Sequence, residues 1–133
     1  MTLSKEIVPI LARVGITPES TDAYSISLPV LEDIADVAAL LPDEIEIPET
    51  EVDEDDGTVV LRWLSGDMRS SFSLTFMGLG SVAGYLSSDR HDPAWRIPLS
   101  ERSRIVRVLG QEGVSALIAR RPKTAQMPGM DIT

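Results

Sequence analysis

The chain has 133 residues, a formal net charge of −9 at pH 7 and no cysteine. That length suits a single domain with its own core, and the missing cysteine excludes disulfides, thiolate metal sites and thiol chemistry. Its apolar stretches are far shorter than the roughly 20 residues that cross a bilayer, and Glu6 and Pro9 interrupt any signal-peptide-like region, so we expect a cytoplasmic protein with no membrane partner.

The charge is unevenly distributed along the chain. Residues 1–60 carry 15 acidic and 2 basic residues, whereas residues 61–133 carry 6 acidic and 10 basic residues. Such asymmetry influences association more than fold. Nucleic acid should repel a chain this acidic unless the basic C-terminal part acts alone.

Two helices are predicted in the N-terminal third. Residues 4–14 have an apolar face at helical spacing, formed by Ile7, Leu11 and Val14, although Pro9 suggests that the helix begins near it. Residues 28–41 form a second helix with Ser27 as its N-cap and Pro29 in its first turn. Its apolar stripe consists of Val30, Ile34, Val37 and Leu41.

A run of acidic residues follows the second helix. Ile45 and Ile47 alternate with acids there, which predicts an edge strand. The run places nine acids within residues 43–56: Asp43, Glu44, Glu46, Glu49, Glu51, Asp53, Glu54, Asp55 and Asp56.

The middle of the chain predicts β-structure. Asp56-Gly57 is a strong turn signal, and the residues after it alternate between apolar and polar. Segments beginning near Thr58, Ser71 and Ser81 are separated by short turns, so they should form an antiparallel meander. Its apolar face should be covered by the helix over residues 28–41, and it contains Trp63, Phe72, Leu74 and Phe76.

The C-terminal third predicts a loop and two short helices. Residues 87–96 have loop composition, and residues 96–98 can add a brief extended stretch. Ser100 is expected to cap a helix of about ten residues. Val114–Arg121 are expected to form a second helix. The predicted fold is therefore α+β, with a three- to four-stranded antiparallel meander covered on one face by an N-terminal helix pair and C-terminal short helices. One domain should span residues 1–123, with a mobile tail at 124–133.

No catalytic residue, metal site or cofactor site is predicted. His91, the single histidine, lies in a polar loop with no recognised ligand spacing, and we expect that replacing it changes neither folding nor biological effect. The acidic run does not fit a calcium-binding EF-hand: with Gly57 at loop position six, Val52 and Trp63 occupy the positions that require Asp and Glu. Nucleophile and phosphate-loop motifs are absent as well.

Three surfaces remain as candidate binding sites. The acidic run can imitate phosphate charge and compete for a basic surface on a partner protein. A second candidate combines one face of the sheet with exposed aromatic residues: Arg62, Ser73, Thr75, Tyr85 and Trp95. The third is a basic C-terminal segment that resembles a helix-turn-helix in outline, with Arg102, Arg104, Arg107, Arg120, Arg121 and Lys123 as its nucleic-acid-binding residues.

The central part of the chain resembles a known type of protein. The segments Asp-Asp-Gly-Thr-Val-Val-Leu-Arg-Trp (55–63), Phe-Ser-Leu-Thr-Phe (72–76) and Gly-Ser-Val-Ala-Gly-Tyr (80–85) follow a helix and an acidic connection. This arrangement, over residues 28–86, is similar to small accessory proteins of bacterial genomes and mobile elements, including phage-encoded inhibitors such as anti-CRISPR proteins. The resemblance implies a bacterial or phage accessory factor and assigns no functional residue.

Together these patterns predict a non-enzymatic interaction protein. It would act as an antitoxin, immunity factor or phage-encoded inhibitor, by occupying a partner's basic surface. The alternative is a DNA-binding regulator that uses the basic C-terminal segment, although its acidity makes a nucleic-acid partner the weaker expectation. The oligomeric state is left open by the sequence.

Overall fold

The protein is an α+β domain built on one antiparallel sheet. The computed structural model describes residues 7–17, 26–53, 55–66, 68–87 and 94–119. The helices within these ranges are α1 (Val8–Ala12), α2 (Leu28–Ala38), α3 (Arg102–Leu109) and α4 (Glu112–Ile118). The strands are β1 (Glu49–Val52), β2 (Val59–Leu64), β3 (Ser71–Phe76), β4 (Ser81–Ser87) and β5 (Trp95–Pro98). No helix in these ranges has the length and apolar character needed to cross a membrane.

The sheet is a meander in which every strand pairs with its sequence neighbour. Its order is β1-β2-β3-β4-β5, and all four pairings are antiparallel. The predicted α+β class and meander are confirmed, and β3 has the bounds that its alternating pattern predicts. The sheet has five strands because a short strand is added at each edge.

The two edge strands differ from their predicted positions. Ile45, predicted to lie in the first edge strand, is buried and forms an isolated antiparallel bridge with Ala119. The next residue, Glu46, donates its N–H to the Ile118 carbonyl at 2.8 Å. This segment therefore joins the sheet edge to the end of α4, and β1 begins only after Pro48, which has no N–H to donate. At the other edge, β5 begins at Trp95, inside the segment predicted to be a loop.

The core lies between the sheet and the helices. Trp63, Phe72, Leu74 and Phe76 are buried on one face of the sheet, as their alternation predicts. Helix α2 contacts β3 and β4, whereas α4 contacts β2 and β3, so the predicted cover by α2 is shared with α4. The Trp63 and Phe72 rings stack with centroids 6.2 Å apart, and Trp63 Nε1 donates to the Glu46 carbonyl at 2.7 Å.

The N-terminal helices begin where their prolines allow. Helix α1 starts at Val8 with Pro9 in its first turn, four residues after the predicted start, because a proline ring fits only the first turn of a helix. Helix α2 starts directly after Ser27, as predicted. The Arg13 guanidinium donates to the Ala38 carbonyl at 2.8 Å and to those of Leu41 and Pro42, so a cation satisfies the C-terminal end of α2.

The C-terminal helices are shorter than predicted. Glu101 rather than Ser100 is the N-cap of α3, and α3 ends at Leu109. Helix α4 begins two residues before Val114 and ends at Ile118. The predicted C-terminal tail, residues 124–133, lies outside the described residues.

A partly buried carboxylate on α2, that of Asp33, gives the fold a defined pH response. Partial burial raises the pKa of Asp33; the Gly80 N–H, which donates to Asp33 Oδ2 at 3.2 Å, opposes this rise, and the nearby Asp36 adds to it. The folded state therefore holds the Asp33 proton more tightly than the unfolded chain does, and it loses stability as pH rises from the ordinary Asp pKa through the raised one.

We expect Asp33→Asn to stabilise the protein by about 0.3 kcal/mol at neutral pH, a small value because water screens a group this exposed. The gain should disappear below the ordinary Asp pKa of about 3.9, where both side chains are neutral. Urea unfolding at a series of pH values measures this difference. Asp33→Ala, which also removes the acceptor for Gly80, should be less stable than Asp33→Asn throughout; a gain from Asp33→Asn that is independent of pH would contradict the assignment.

Candidate functional site

Most of the described acids of the run lie along one edge of the sheet. Strand β1 is an edge strand, and its register places Glu49 opposite Arg62 and Glu51 opposite Val60. Both glutamates therefore lie on the face of the sheet away from the helices, and both are exposed. The hairpin between β1 and β2 continues this edge with more exposed acids. We call the acidic strip the set Glu49, Glu51, Asp53, Asp55 and Asp56.

The tip of the hairpin is held by hydrogen bonds from its own backbone. Asp53 N–H donates to the Thr58 carbonyl and Gly57 N–H to the Asp53 carbonyl, each at 2.8 Å. Two carboxylates also accept from the backbone at 2.9 Å: Asp53 Oδ1 from the Asp55 N–H, and Asp56 Oδ1 from the Thr58 N–H. Gly57 has φ of +76°, the left-handed conformation that this turn requires. The charges at the tip are therefore presented on an ordered turn.

These contacts favour the charged form of the turn carboxylate. The backbone N–H and then the hydroxyl of Thr58 lower the pKa of Asp56, because both donate to the ionised carboxylate. Asp56 therefore remains negative at any pH near neutrality.

The acidic strip has little compensating positive charge. Glu51 pairs with Arg62 across the β1–β2 ladder. Within the described ranges, the structure gives no cation partner to Glu49, Asp53, Asp55 or Asp56. Four carboxylates on one edge therefore face solvent without a neutralising side chain from the described chain.

A shallow, open depression of about 620 Å³ lies beside the hairpin. Its walls combine the carboxylates of the strip with apolar and hydroxyl side chains. A lysine or arginine suits such a surface, because its methylene stem packs on apolar atoms while its charged end reaches the carboxylates. The lining residues are Glu51, Val52, Asp53, Asp55, Asp56, Thr58 and Val60.

The remaining acids of the run lie apart from the acidic strip. Asp43 and Glu44 are exposed, and Glu46 is half-buried, in the segment that bridges to the end of α4. Glu54 lies outside the described residues. The structure thus divides the nine-residue run into a strip along the hairpin and a smaller group before β1.

The second predicted surface is only partly brought together. Arg62, Ser73 and Tyr85 are paired in one row across β2, β3 and β4, and Thr75 lies on the same face. Trp95 does not join them, because its pairing with Gly84 places it on the face covered by helices, where its ring lies 6.4 Å from that of Phe72. The sequence could not separate these residues, since the face of Trp95 depends on the β4–β5 register.

The basic candidate surface is described only in part. Arg102, Arg104 and Arg107 are exposed on α3, and Arg104 pairs with Glu101 at 3.2 Å. Arg120, Arg121 and Lys123 lie outside the described residues. Helix α4, which would be the recognition helix, packs on the sheet through Val114, Leu117 and Ile118. The exposed positions of α4 carry no basic or amide side chain: Glu112, Gly113 and Ala116.

Metal binding has no candidate site in the described part of the chain. No group of three or more His, Asp or Glu side chains there is arranged to hold a metal ion. His91 lies outside that part. Thr58 was not predicted to belong to the acidic hairpin. An Asp two residues before it is nevertheless a spacing at which the carboxylate accepts from the Thr backbone N–H, as Asp56 does.

Comparison of the chain with family models, curated protein sequences and solved structures gives no match.

Proposed function

We propose that this chain is a non-enzymatic cytoplasmic protein that inhibits or neutralises a partner by covering the partner's basic surface with its acidic strip. It would act as an antitoxin, an immunity factor or a phage-encoded inhibitor does, by occupying the surface of its partner. The row of carboxylates would occupy a surface that otherwise binds nucleic-acid phosphates. This proposal concerns a protein partner and involves no chemical step.

The ordered presentation of the acidic strip carries the proposal. Side chains alternate along β1, so Glu49 and Glu51 lie on one side at a spacing of about 7 Å. The turn beyond them is fixed by the hydrogen bonds of Asp53 and Asp56. Because the charges are already positioned, binding orders fewer groups, and more of the electrostatic attraction remains as affinity.

A purely structural role for these acids makes a different prediction. Charged side chains on an edge strand also prevent the sheet from pairing with other chains, and β1 is such a strand. Under that role, neutralising the strip would promote aggregation and leave binding to a partner unchanged. The proposal instead predicts a specific loss of binding.

The test is neutralisation of the acidic strip by the four changes Glu49→Gln, Asp53→Asn, Asp55→Asn and Asp56→Asn. The amides keep the turn acceptors. They remove like-charge repulsion but also the charge that the Thr58 donors favour at Asp56, so we expect stability to change little. A protein captured from an extract of the source organism is identified, and its association rate with each variant is measured. We expect the rate to fall roughly tenfold or more at low salt, and the difference to shrink as salt screens the charges.

A matched control changes four exposed acids elsewhere: Glu32→Gln, Asp36→Asn, Glu101→Gln and Glu112→Gln. It alters the net charge equally and should leave most of the association rate intact. Equal binding by the strip variant and the unaltered chain would contradict the proposal. If the unaltered chain instead retains duplex DNA, and Arg102→Gln with Arg107→Gln abolishes that retention, the DNA-binding alternative is correct.

A further inference from the structure

In the described part of the chain, the sheet face away from the helices is at least partly exposed on all five strands. Helices α2 and α4 pack on the opposite face, and no side chain that the strands direct toward this open face is buried. The central strand β3 presents only small polar side chains here: Ser71, Ser73 and Thr75. We call this surface the open face. The small side chains at its centre let another sheet approach closely.

One row of paired residues crosses the open face from edge to edge. The register aligns Glu51 on β1 with Val60, Val60 with Thr75, Thr75 with Ala83, and Ala83 with Arg96 on β5. The row therefore has an acid at one end, a base at the other, and small or apolar side chains between them. Arg96 is exposed and has no acidic partner in the described part of the chain.

The neighbouring row of paired residues on the open face also contains an acid, a base and a small central side chain. It aligns Glu49 with Arg62, Arg62 with Ser73, and Ser73 with Tyr85, which is 46% exposed. An arginine and a tyrosine are thus placed on either side of a serine on β3. The ionised side chains in these two rows are two glutamates and two arginines, so this area is locally neutral in a chain of net charge −9.

When a second copy of the sheet is turned over onto the first, each row meets the same row in the opposite order, and side chains that can pair face each other. A twofold axis parallel to β3 places β1 of one molecule over β5 of a second. Glu51 then faces Arg96 of the second copy, and Thr75 faces Thr75. Glu51 would exchange its contact with Arg62 of its own chain for this pair, and Arg62 would face Tyr85, a cation–π pairing. Sheets that pack face to face cross at about 30°, which displaces the edge strands by about 5 Å, a distance that glutamate and arginine side chains can span.

We propose that the open face is a homodimer interface, with a second copy of this chain as its occupant. The Glu51–Arg96 pairs form at both ends of the shared row, and Ser73 and Thr75 pack about the axis. The hairpin tip with Asp53, Asp55 and Asp56 lies beyond the paired rows and remains available to another partner. The dimer would cover Glu49 and Glu51 of the acidic strip and leave its tip free, and its test, the oligomeric state, has a readout separate from binding of an inhibited partner.

The dimensions predict a weak dimer. Five strands about 4.8 Å apart, the three inner ones about 20 Å long and the two edge strands about 13 Å, form a face of at most roughly 20 by 20 Å. The pair would bury about 800 Å² in total, which is below the range of stable interfaces and within that of weak, transient ones. The net charge of −9 on each copy also opposes association. We expect dissociation constants in the range of about 10–500 μM at physiological salt.

Reversing the charge at either end of the shared row tests the proposal. By sedimentation velocity, the 14.5 kDa chain should approach twice its mass as concentration rises toward about 1 mM. Arg96→Glu alone and Glu51→Arg alone should each weaken dimerisation at least tenfold, because each creates two like-charge contacts. An equimolar mixture of the two variants should recover a heterodimer, in which both contacts again join opposite charges.

Controls with the same charge changes use exposed residues on helices. Arg107→Glu and Glu32→Arg should leave the dimerisation constant within about threefold of the original, and circular dichroism should confirm that every variant is folded. A chain that stays monomeric at about 1 mM would overturn the proposal and leave this face to a different protein. Equal weakening by Arg96→Glu and Arg107→Glu, or a mixture that fails to recover the dimer, would overturn it as well.

Discussion

Phe76→Ala is expected to lower the free energy of unfolding by about 3–5 kcal/mol, because it empties the volume of a fully buried ring. Phe76 is 0% exposed and lies on β3 between Val59 of β2 and Val82 of β4, both also 0% exposed. Strands on either side hold these neighbours in place, so the cavity cannot collapse easily. Urea unfolding followed by tryptophan fluorescence gives the value.

Leu79→Ala is the matched control for this change. Leu79 is 73% exposed in the turn that follows β3, so its truncation should change stability by no more than about 0.5 kcal/mol. The covered face of the sheet would be misassigned if the two variants proved equally stable.

Gly84→Ala is expected to destabilise the protein by about 3 kcal/mol, the upper part of the range for overpacked cores. A Cβ at this position would lie 2.1 Å from Cζ2 and 2.5 Å from Cε2 of the Trp95 ring. The rigid indole cannot yield locally, and Phe72 lies beside it, so the ring must leave its site. A shift in tryptophan emission toward that of a solvated indole should accompany the loss of stability.

A second variant distinguishes this clash from a simple loss of glycine. Trp95→Leu in the Gly84→Ala background should restore part of the lost stability, so the double variant is more stable than the sum of the single changes predicts. Gly66→Ala, at a turn with no heavy atom within 4 Å of the new Cβ, should be nearly neutral. Strict additivity of Gly84→Ala and Trp95→Leu would exclude the clash as the cause.

The parts of the fold that were predicted correctly have local signals. The alternation over Ser71–Phe76 defines β3, because a half-buried strand imposes a period of two on its own sequence. Pro29 marks the start of α2 in the same way, since it fits only the first helical turn. Ser27 occupies the predicted N-cap position in an extended conformation, although its side chain makes no cap hydrogen bond.

The parts that were missed depend on distant partners. Strands β1 and β5 each have four residues, too few for a periodic pattern, and they are ordered by pairs such as Val52 with Val59 and Ile97 with Val82. The bridge from Ile45 to Ala119 joins the segment before the sheet to the end of α4, which are distant in the chain, and it has no sequence signal.

The candidate site, too, could be predicted only where its sequence signal is local. Composition alone reveals that the acids cluster, and Asp56-Gly57 places a turn among them. The order of charges across the open face requires four strand registers, which single-sequence patterns do not determine. Glu51 and Arg96, which are distant in sequence, therefore could not be recognised as the two ends of one row.

The nearest-neighbour order of the sheet has a consequence for how quickly the protein folds. Each hairpin closes a short loop, so most of the sheet can form without bringing distant segments together, and the search costs little chain entropy. Folding on the order of milliseconds is consistent with such local topology. The bridge between Ile45 and Ala119 is the exception, because it closes a loop that contains the entire meander and both C-terminal helices. It should form only after the meander has assembled, which makes the junction of β1 and α4 the last part of the molecule to acquire its native contacts.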